Sequence, residues 1–216
     1  MEQLTYNNDP KLKALCVARC EDHVRLDHYL RGQYKGFDEN GEFRGCAIGC
    51  HVYDADPKFN DDEVDVHEMV ASMYGRPLWL CYLEDRLFEG ITAERAKEFP
   101  LTLSKAIPTG KNLDAVYHKL QVFIQGRNKN RVETLSLEKV LKGQVIAALE
   151  AVIDCHNLAS AGQQVDWSAA RSTARSAAES AWSAAESTAE SAAWSGRSAE
   201  YDAIADELIR LLKELH

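Results

Sequence analysis

Hydrophobic residues recur every three to four positions along much of the first 160 residues, which is the period of an amphipathic α-helix. The clearest stripe lies in residues 136–159 and comprises Leu137, Leu141, Val145, Ala148, Leu149, Val152 and His156. A second stripe, in residues 11–31, follows Asp9 and Pro10, a typical helix start. Because no alternating pattern typical of strands recurs, the sequence predicts an all-α fold.

Shorter helices are predicted for residues 64–74, 77–90, 92–107 and 114–125. Pro100 should bend or interrupt the third of them. A polar loop is predicted for residues 126–130. Residues 32–63 are rich in glycine and acidic side chains, which indicates a small irregular or β-containing insert, and residues 46–53 should form a short strand or a buried loop within it. Residues 1–160 are thus the predicted helical body.

Residues 164–216 are predicted to form a helical tail rich in alanine and serine. Small residues recur there at steps of four, three and four, so one face returns every eleven residues, close to the period of a straight helix. They are Ala170, Ala174, Ala177, Ala181, Ala185, Thr188, Ala192, Gly196, Ala199 and Ala203. Such a face lets a second helix approach closely, and Trp182 and Trp194 are candidate anchors for a neighbour.

Two questions about the tail stay open at the level of sequence. The tail is either one long helix or two helices separated by a break near Gly196. Its small-residue face either pairs with the same face of a second copy, which predicts a homodimer, or packs against the helix predicted for residues 136–159.

The charge of the chain limits the partners that it can bind. Its 216 residues include 34 acidic and 25 basic side chains, for a net charge of −9, so we expect no direct binding to nucleic acid. The acidic run at residues 61–68 is typical of a solvated face, and it also offers a mimic of phosphates to a basic partner. No apolar run reaches the roughly 18 residues of a membrane span, and no signal peptide is recognisable. We therefore expect a cytoplasmic protein with reduced cysteines.

Candidate chemistry is concentrated in the first third of the chain. Zinc favours sulfur and imidazole ligands that occur in pairs two to four residues apart. Two such cysteine pairs occur, Cys16 with Cys20 and Cys46 with Cys50, and histidines follow both. The predicted metal ligands are His23, Asp27, His28, Cys46, Cys50 and His51, with zinc as the candidate ion. Buried thiols and ordinary core histidines are the alternative interpretation. Because no phosphate-binding glycine loop and no nucleophile elbow is present, we predict no catalytic residue.

Several segments resemble those of uncharacterised small proteins of bacteriophages and prophages, some of which carry similar alanine-, serine- and tryptophan-rich tails. The segments are residues 23–34 (HVRLDHYLRGQY), 45–50 (GCAIGC), 78–90 (LWLCYLEDRLFEG) and 107–116. The resemblance implies a phage accessory protein.

Our leading hypothesis is a non-enzymatic binding protein that inhibits a host defence component or sequesters its ligand. Its partner would then be a host protein or a small nucleotide. One alternative is a small metal-dependent hydrolase that uses the histidine, aspartate and cysteine cluster. The other is a structural assembly protein.

Overall fold

A computed structural model describes residues 3–60, 62–173, 175 and 194–216, and for residues 194–197 it describes the backbone alone. The helices are α1 (Pro10–Arg25), α2 (Ala47–Tyr53), α3 (Val66–Tyr74), α4 (Leu78–Gly90), α5 (Ala93–Ala96), α6 (Phe99–Ala106), α7 (Asp114–Thr134), α8 (Lys139–Ser160) and α9 (Trp194–Lys213). Two short strands, β1 (Gly36–Phe37) and β2 (Phe43–Arg44), pair antiparallel. The predicted all-α fold with a small β insert is confirmed. No helix in the described ranges is long and apolar enough to cross a membrane.

The chain divides into two compact units. Unit 1 comprises Met1–Leu113 and Arg197–His216, and unit 2 comprises Asp114–Gly196. This division differs from the boundary expected near residue 160, because α9 belongs with the N-terminal helices. Its buried aliphatic face consists of Ile204, Ala205, Leu208, Leu211 and Leu212. On its flank, Arg95 lies 3.1 Å from the Asp202 carboxylate and 2.6 Å from that of Asp206.

Helix α2 corrects the prediction of a strand or loop at residues 46–53. Its residues from Ala47 to Val52 are all buried, so the segment has no polar face and no helical period in its sequence. Cys46 caps the helix by accepting a hydrogen bond from the backbone N–H of Gly49. A Cβ atom on Gly49 would lie only 1.8 Å from the carbonyl oxygen of Tyr34. This glycine therefore lets the chain pass directly over α2, which packs against α1, α3 and α4.

Helix α1 ends at Arg25, six residues earlier than the sequence predicts. Asp27 adopts a left-handed conformation with φ of 53°. The N–H of Asp27 bonds to the carbonyl of Val24 (3.2 Å), and that of His28 bonds to the carbonyl of His23 (3.0 Å). This pair of bonds is the Schellman motif that terminates helices. Glycine is usual at this left-handed position, but here the residue is Asp27, so the sequence carries no recognisable signal for the end of α1.

The N-terminal segment Thr5–Asn8 is a short 3₁₀ turn with an uncommon backbone. Tyr6, Asn7 and Asn8 all have positive φ angles, of 53°, 51° and 57°. A non-glycine residue in this region costs about 1–2 kcal/mol, so tertiary contacts must hold the segment in place. Tyr6 is fully buried, while Asn7 and Asn8 are exposed.

Elsewhere in unit 1, most helices follow the sequence prediction. Helices α3 and α4 lie within one or two residues of their expected bounds. The predicted helix at residues 92–107 is interrupted as expected, into α5 and α6, and Pro100 lies in the first turn of α6.

Unit 2 contains the antiparallel contact between α7 and α8, the most extensive helix pairing among the described residues. The polar loop predicted at residues 126–130 is wrong, because α7 continues through it to Thr134. Its Gln, Arg and Lys residues are good helix formers, and the single Gly126 costs only about 1 kcal/mol. Helix α8 confirms the longest predicted stripe, and the Glu138 side chain caps it.

The described part of the tail contains a helical segment at residues 167–173, where the Asp166 side chain accepts a hydrogen bond from the Ser168 N–H. Trp167 stacks on His118, whose Nδ1 lies 2.9 Å from Nδ1 of His156. Ala170 is buried. Ala174, Ala177, Ala181, Ala185, Ala192 and Trp182 lie outside the described residues, as does the side chain of Trp194. Helix α9 passes through Gly196 without a break.

A pair of glycine substitutions tests the close approach at α2. We expect Gly49→Ala to lower the free energy of unfolding by about 3 kcal/mol or more, because its Cβ would overlap the Tyr34 carbonyl. Gly143→Ala is the control, since it lies on an exposed part of α8 with no atom within 4 Å of its Cβ position. It should stabilise unit 2 by roughly 0.5–1 kcal/mol. Urea denaturation followed by circular dichroism measures both, and equal effects would contradict the packing.

Candidate metal centre

A buried ion pair lies at the centre of unit 1. Arg76 follows the left-handed cap of α3, Glu84 lies on α4, and neither side chain has any exposed surface. The Arg76 Nη1 atom donates a 2.7 Å hydrogen bond to Oε2 of Glu84. Removing two charges from water costs several kcal/mol per ion, so such a pair requires further polar partners.

Further polar and aromatic groups surround the guanidinium. The Arg76 Nη2 atom donates to Oγ of Ser104 on α6 (2.9 Å) and to Sγ of Cys16 on α1 (3.2 Å). The rings of Tyr6 and Tyr74 have their centroids 5.8 and 5.3 Å from the guanidinium carbon. Burial opposes the charge of Arg76, but the attraction of Glu84 outweighs it and raises the arginine pKa. These contacts keep the ion pair charged in the interior.

The two thiols of α1 lie one helical turn apart, both fully buried. The Oγ of Ser104 lies 3.7 Å from Sγ of Cys16 and 3.4 Å from Sγ of Cys20. A hydrogen bond from Cys20 lowers the pKa of Cys16 to about 5, and the charge of Arg76 acts in the same direction against burial. The pKa of Cys20 is raised in turn by this bond and by burial. Of the two thiols, Cys16 is the one whose pKa is lowered.

His51 completes the cluster from α2, with 1% of its surface exposed. Its Nε2 atom lies 3.4 Å from Oε1 of Glu84, whereas its Nδ1 atom is buried with no hydrogen-bond partner in the described structure. In metal sites a carboxylate commonly binds one imidazole nitrogen and leaves the other for the metal. The orientation of His51 fits this pattern.

The donor atoms of Cys16, Cys20 and His51 all lie within 4.8 Å of one another. Donors around a tetrahedral zinc ion are roughly 3.5 Å apart, given bond lengths near 2.0–2.3 Å, so a small closure of the group suffices. A divalent ion with two thiolates is neutral, which leaves the charges of Arg76 and Glu84 balanced. This group can hold a metal ion, and Arg76 and Ser104 would donate hydrogen bonds to its sulfur ligands.

Cys46 and Cys50, which we predicted as ligands, do not join this group. Cys46 caps α2, and the Cys50 thiol lies 3.6 Å from the carbonyl of Gly45. Cys50 and His51 are consecutive on a helix, so their side chains point about 100° apart and cannot meet at one ion. Burial raises the pKa of both thiols, which keeps them protonated.

His23 and His28 do meet, but at a different place and with a different carboxylate. Their Nδ1 atoms lie 2.9 Å apart, and Nε2 of His23 lies 3.0 Å from Oδ2 of Asp54. Asp27 instead pairs with Arg44 (2.9 Å) and with Lys97. Its left-handed backbone turns His28 back toward His23 and leaves its own carboxylate outside.

Sequence reasoning missed the polar groups that surround the thiols. Glu84 had a detectable signal, because it interrupts the apolar stripe of α4 formed by Leu80, Leu87 and Phe88. Arg76 and Ser104 had no detectable signal in the sequence, because each lies near a helix end, where polar residues are common. Only the tertiary fold brings them to the thiols of α1.

No protein family model matches this chain, and no curated protein and no solved structure matches it either. The interpretation of the centre therefore depends on its own geometry.

A double-mutant cycle tests the ion pair. Arg76→Met should lower the free energy of unfolding by about 3–5 kcal/mol, because it leaves Glu84 buried without a counter-charge. Glu84→Leu in the same protein should recover more than about 1 kcal/mol of that loss, since both charges are then absent. Chemical denaturation of the wild type, both single variants and the double variant provides the coupling energy, and strictly additive losses would contradict the pairing.

Proposed function

We propose that this chain is a non-enzymatic binding protein, an accessory factor of a bacteriophage or prophage that acts in the host cytoplasm. It would inhibit a host defence component or sequester that component's ligand. One observation carries the preference for binding over catalysis. The groups with reactive chemistry are enclosed, since Cys16 and Cys20 have no exposed surface and His51 has 1%. A catalytic metal needs a position that substrate can reach. The phage context comes from the resemblance of the sequence.

The charge of the surface supports the inhibitor over the sequestering protein. Asp62, Glu63, Asp65 and Glu68 are exposed in succession before and within the first turn of α3. The Asp65 carboxylate accepts hydrogen bonds from the backbone N–H groups of His67 and Glu68, which fixes its position. Exposed carboxylates on a chain of net charge −9 complement a basic site, including one that normally holds nucleic acid.

For the metal centre we propose zinc in a structural role. Two thiolates and one imidazole are a borderline-soft donor set that zinc prefers over calcium or magnesium. Enclosure and the hydrogen bonds on the sulfurs favour a closed structural site.

A metal-dependent hydrolase is the second candidate function, because three protein donors are also the number that catalytic zinc sites use. Steady turnover that requires His51 would favour it over a binding protein.

For the tail we retain the proposal of a homodimer through the small-residue face. Closely packed alanine faces suit an antiparallel helix pair, and twofold symmetric dimers are the commonest oligomers.

Metal content tests the zinc proposal. The untagged protein purified from cells should hold about one zinc per chain, and Cys16→Ser or His51→Ala should lose it. Cys155→Ser, on α8, is the matched control and should retain it. Elemental analysis and native mass spectrometry measure the ion, and the mass spectrum also reports whether the chain is a dimer. Wild-type protein without metal, or His51→Ala with unchanged zinc, would refute the proposal.

A plating assay tests the proposed function. Expression of the chain in bacteria that carry individual defence systems should raise the plating efficiency of a restricted phage on at least one strain. Asp62→Asn with Glu63→Gln should reduce this rescue, because it removes charge from the proposed contact. Glu133→Gln with Asp154→Asn, an equal change of charge at exposed positions of unit 2, is the control. Absence of rescue on every strain, or equal loss in both variants, would contradict the proposal.

A further inference from the structure

We propose that the N-terminal segment Thr5–Asn8 is a gate over the metal centre, and that the Tyr6 side chain controls the access of metal ions and thiol reagents to Cys16. The inference deepens the zinc proposal above and rests on it for its biological meaning. The contacts that support the gate involve the protein groups around the thiols and do not depend on which ion the thiols bind.

The ring of Tyr6 lies against the guanidinium that contacts Cys16, with the Arg76 guanidinium carbon 5.8 Å from the ring centroid. Tyr6 is fully buried, but the next residues along the chain, Asn7 and Asn8, are exposed. Its hydroxyl donates a 2.8 Å hydrogen bond to the carbonyl of Ser104 and lies 3.5 Å from Nη2 of Arg76. That same nitrogen contacts Sγ of Cys16 at 3.2 Å. One aromatic side chain thus extends from the residue next to the exposed Asn7 to the guanidinium that contacts Cys16.

The segment is fastened at both sides of the centre. On one side, the N–H of Thr5 bonds to the carbonyl of Lys111 (3.1 Å), and the N–H of Gly110 bonds to the carbonyl of Thr5 (2.9 Å). The Thr5 hydroxyl also accepts from the Lys111 N–H (3.1 Å) and donates to the carbonyl of Pro108. These bonds tie the segment to the loop after α6, the helix that carries Ser104.

On the other side, the segment lies directly on the end of α3. A Cβ atom on Gly75 would lie 2.4 Å from Oδ1 of Asn7 and 2.7 Å from the carbonyl oxygen of Leu4. The Gln3 amide donates a 2.7 Å hydrogen bond to the carbonyl of Arg76. Gln3 and Tyr6 therefore contact the backbone and the guanidinium, respectively, of the arginine that contacts Cys16.

The backbone of the segment favours opening as a local event. Tyr6, Asn7 and Asn8 hold three successive left-handed conformations that non-glycine residues adopt only at a cost. Release of the segment relieves this strain and breaks the contacts of these few residues, including the 2.8 Å hydrogen bond from the Asp9 N–H to the Tyr6 carbonyl, while the Asp9 side chain still caps α1 by accepting from the Lys11 N–H. Local openings of this kind occur in native proteins without global unfolding. The thiols would then be reached without unfolding the helices that carry them.

Thiol labelling of the protein in its native state tests the gate. The protein is treated with chelator, exposed to N-ethylmaleimide in timed pulses, digested, and the labelling rate of each cysteine is read by mass spectrometry. Tyr6→Ala should raise the rate at Cys16 about tenfold or more, because it removes the covering ring. Tyr6→Phe keeps the ring and should stay within roughly threefold of the wild type. Cys46 and Cys50, buried around α2, are internal controls and should not change.

A second variant leaves Tyr6 in place. Thr5→Val keeps the shape of the side chain but removes its two hydrogen bonds, so it should also accelerate labelling of Cys16 over Cys46 and Cys50. Unchanged labelling of Cys16 in both Tyr6→Ala and Thr5→Val would overturn the gate. So would a parallel rise at Cys46 and Cys50, which indicates global unfolding. Because the chelator removes any bound metal before labelling, the labelling rates do not depend on zinc content. The test of the gate therefore stands even if the purified protein holds no zinc.

Discussion

The arrangement of unit 1 depends on the fully buried ion pair between Arg76 and Glu84. Burial of a charge pair is costly unless further polar groups contact it. Each surrounding element supplies one such side chain, namely Cys16 from α1, His51 from α2, Ser104 from α6 and Tyr6 from the N-terminal segment, whereas Nε of Arg76 has no hydrogen-bond partner among the described residues. Two of these side chains, Cys16 and His51, form with Cys20 the thiol and imidazole group that can hold a metal ion.

The helical periods of the sequence predict those elements that have one polar and one apolar face. Helices α3, α4 and α8 lie within a few residues of their expected bounds for this reason. Prediction fails where that contrast is absent. Helix α2 is buried on every side, and the second half of α7 is polar, so neither carries a detectable stripe. The early end of α1 was concealed because Asp27 adopts a backbone conformation usual for glycine.

For the candidate site, the sequence identifies the type of ligand but not the combination. Two cysteine pairs with the same spacing, at residues 16 and 20 and at residues 46 and 50, are equivalent as patterns. The fold distinguishes them, because Arg76 and Ser104 reach only the pair on α1. His51, predicted as a ligand together with Cys46 and Cys50, lies instead in the group with Cys16 and Cys20 that could hold a metal ion. Long-range contacts between elements that are 25 or more residues apart decide such cases, and no local spacing encodes them.

The thiol and imidazole group that can hold a metal ion is enclosed in the interior of unit 1, so it is not available to a partner at the surface. The unpartnered Nδ1 of His51 and the acidic thiol of Cys16 are unfavourable in a dry interior, and a bound divalent ion would satisfy both at once. A centre of this kind contributes to folding free energy, because its ligands come from α1 and α2, which are separate in sequence. In the proposed function, recognition would then occur on exposed surfaces such as the acidic run before α3. The N-terminal segment joins surface and interior, since Asn7 and Asn8 are exposed while Tyr6 contacts Arg76 in the charged centre.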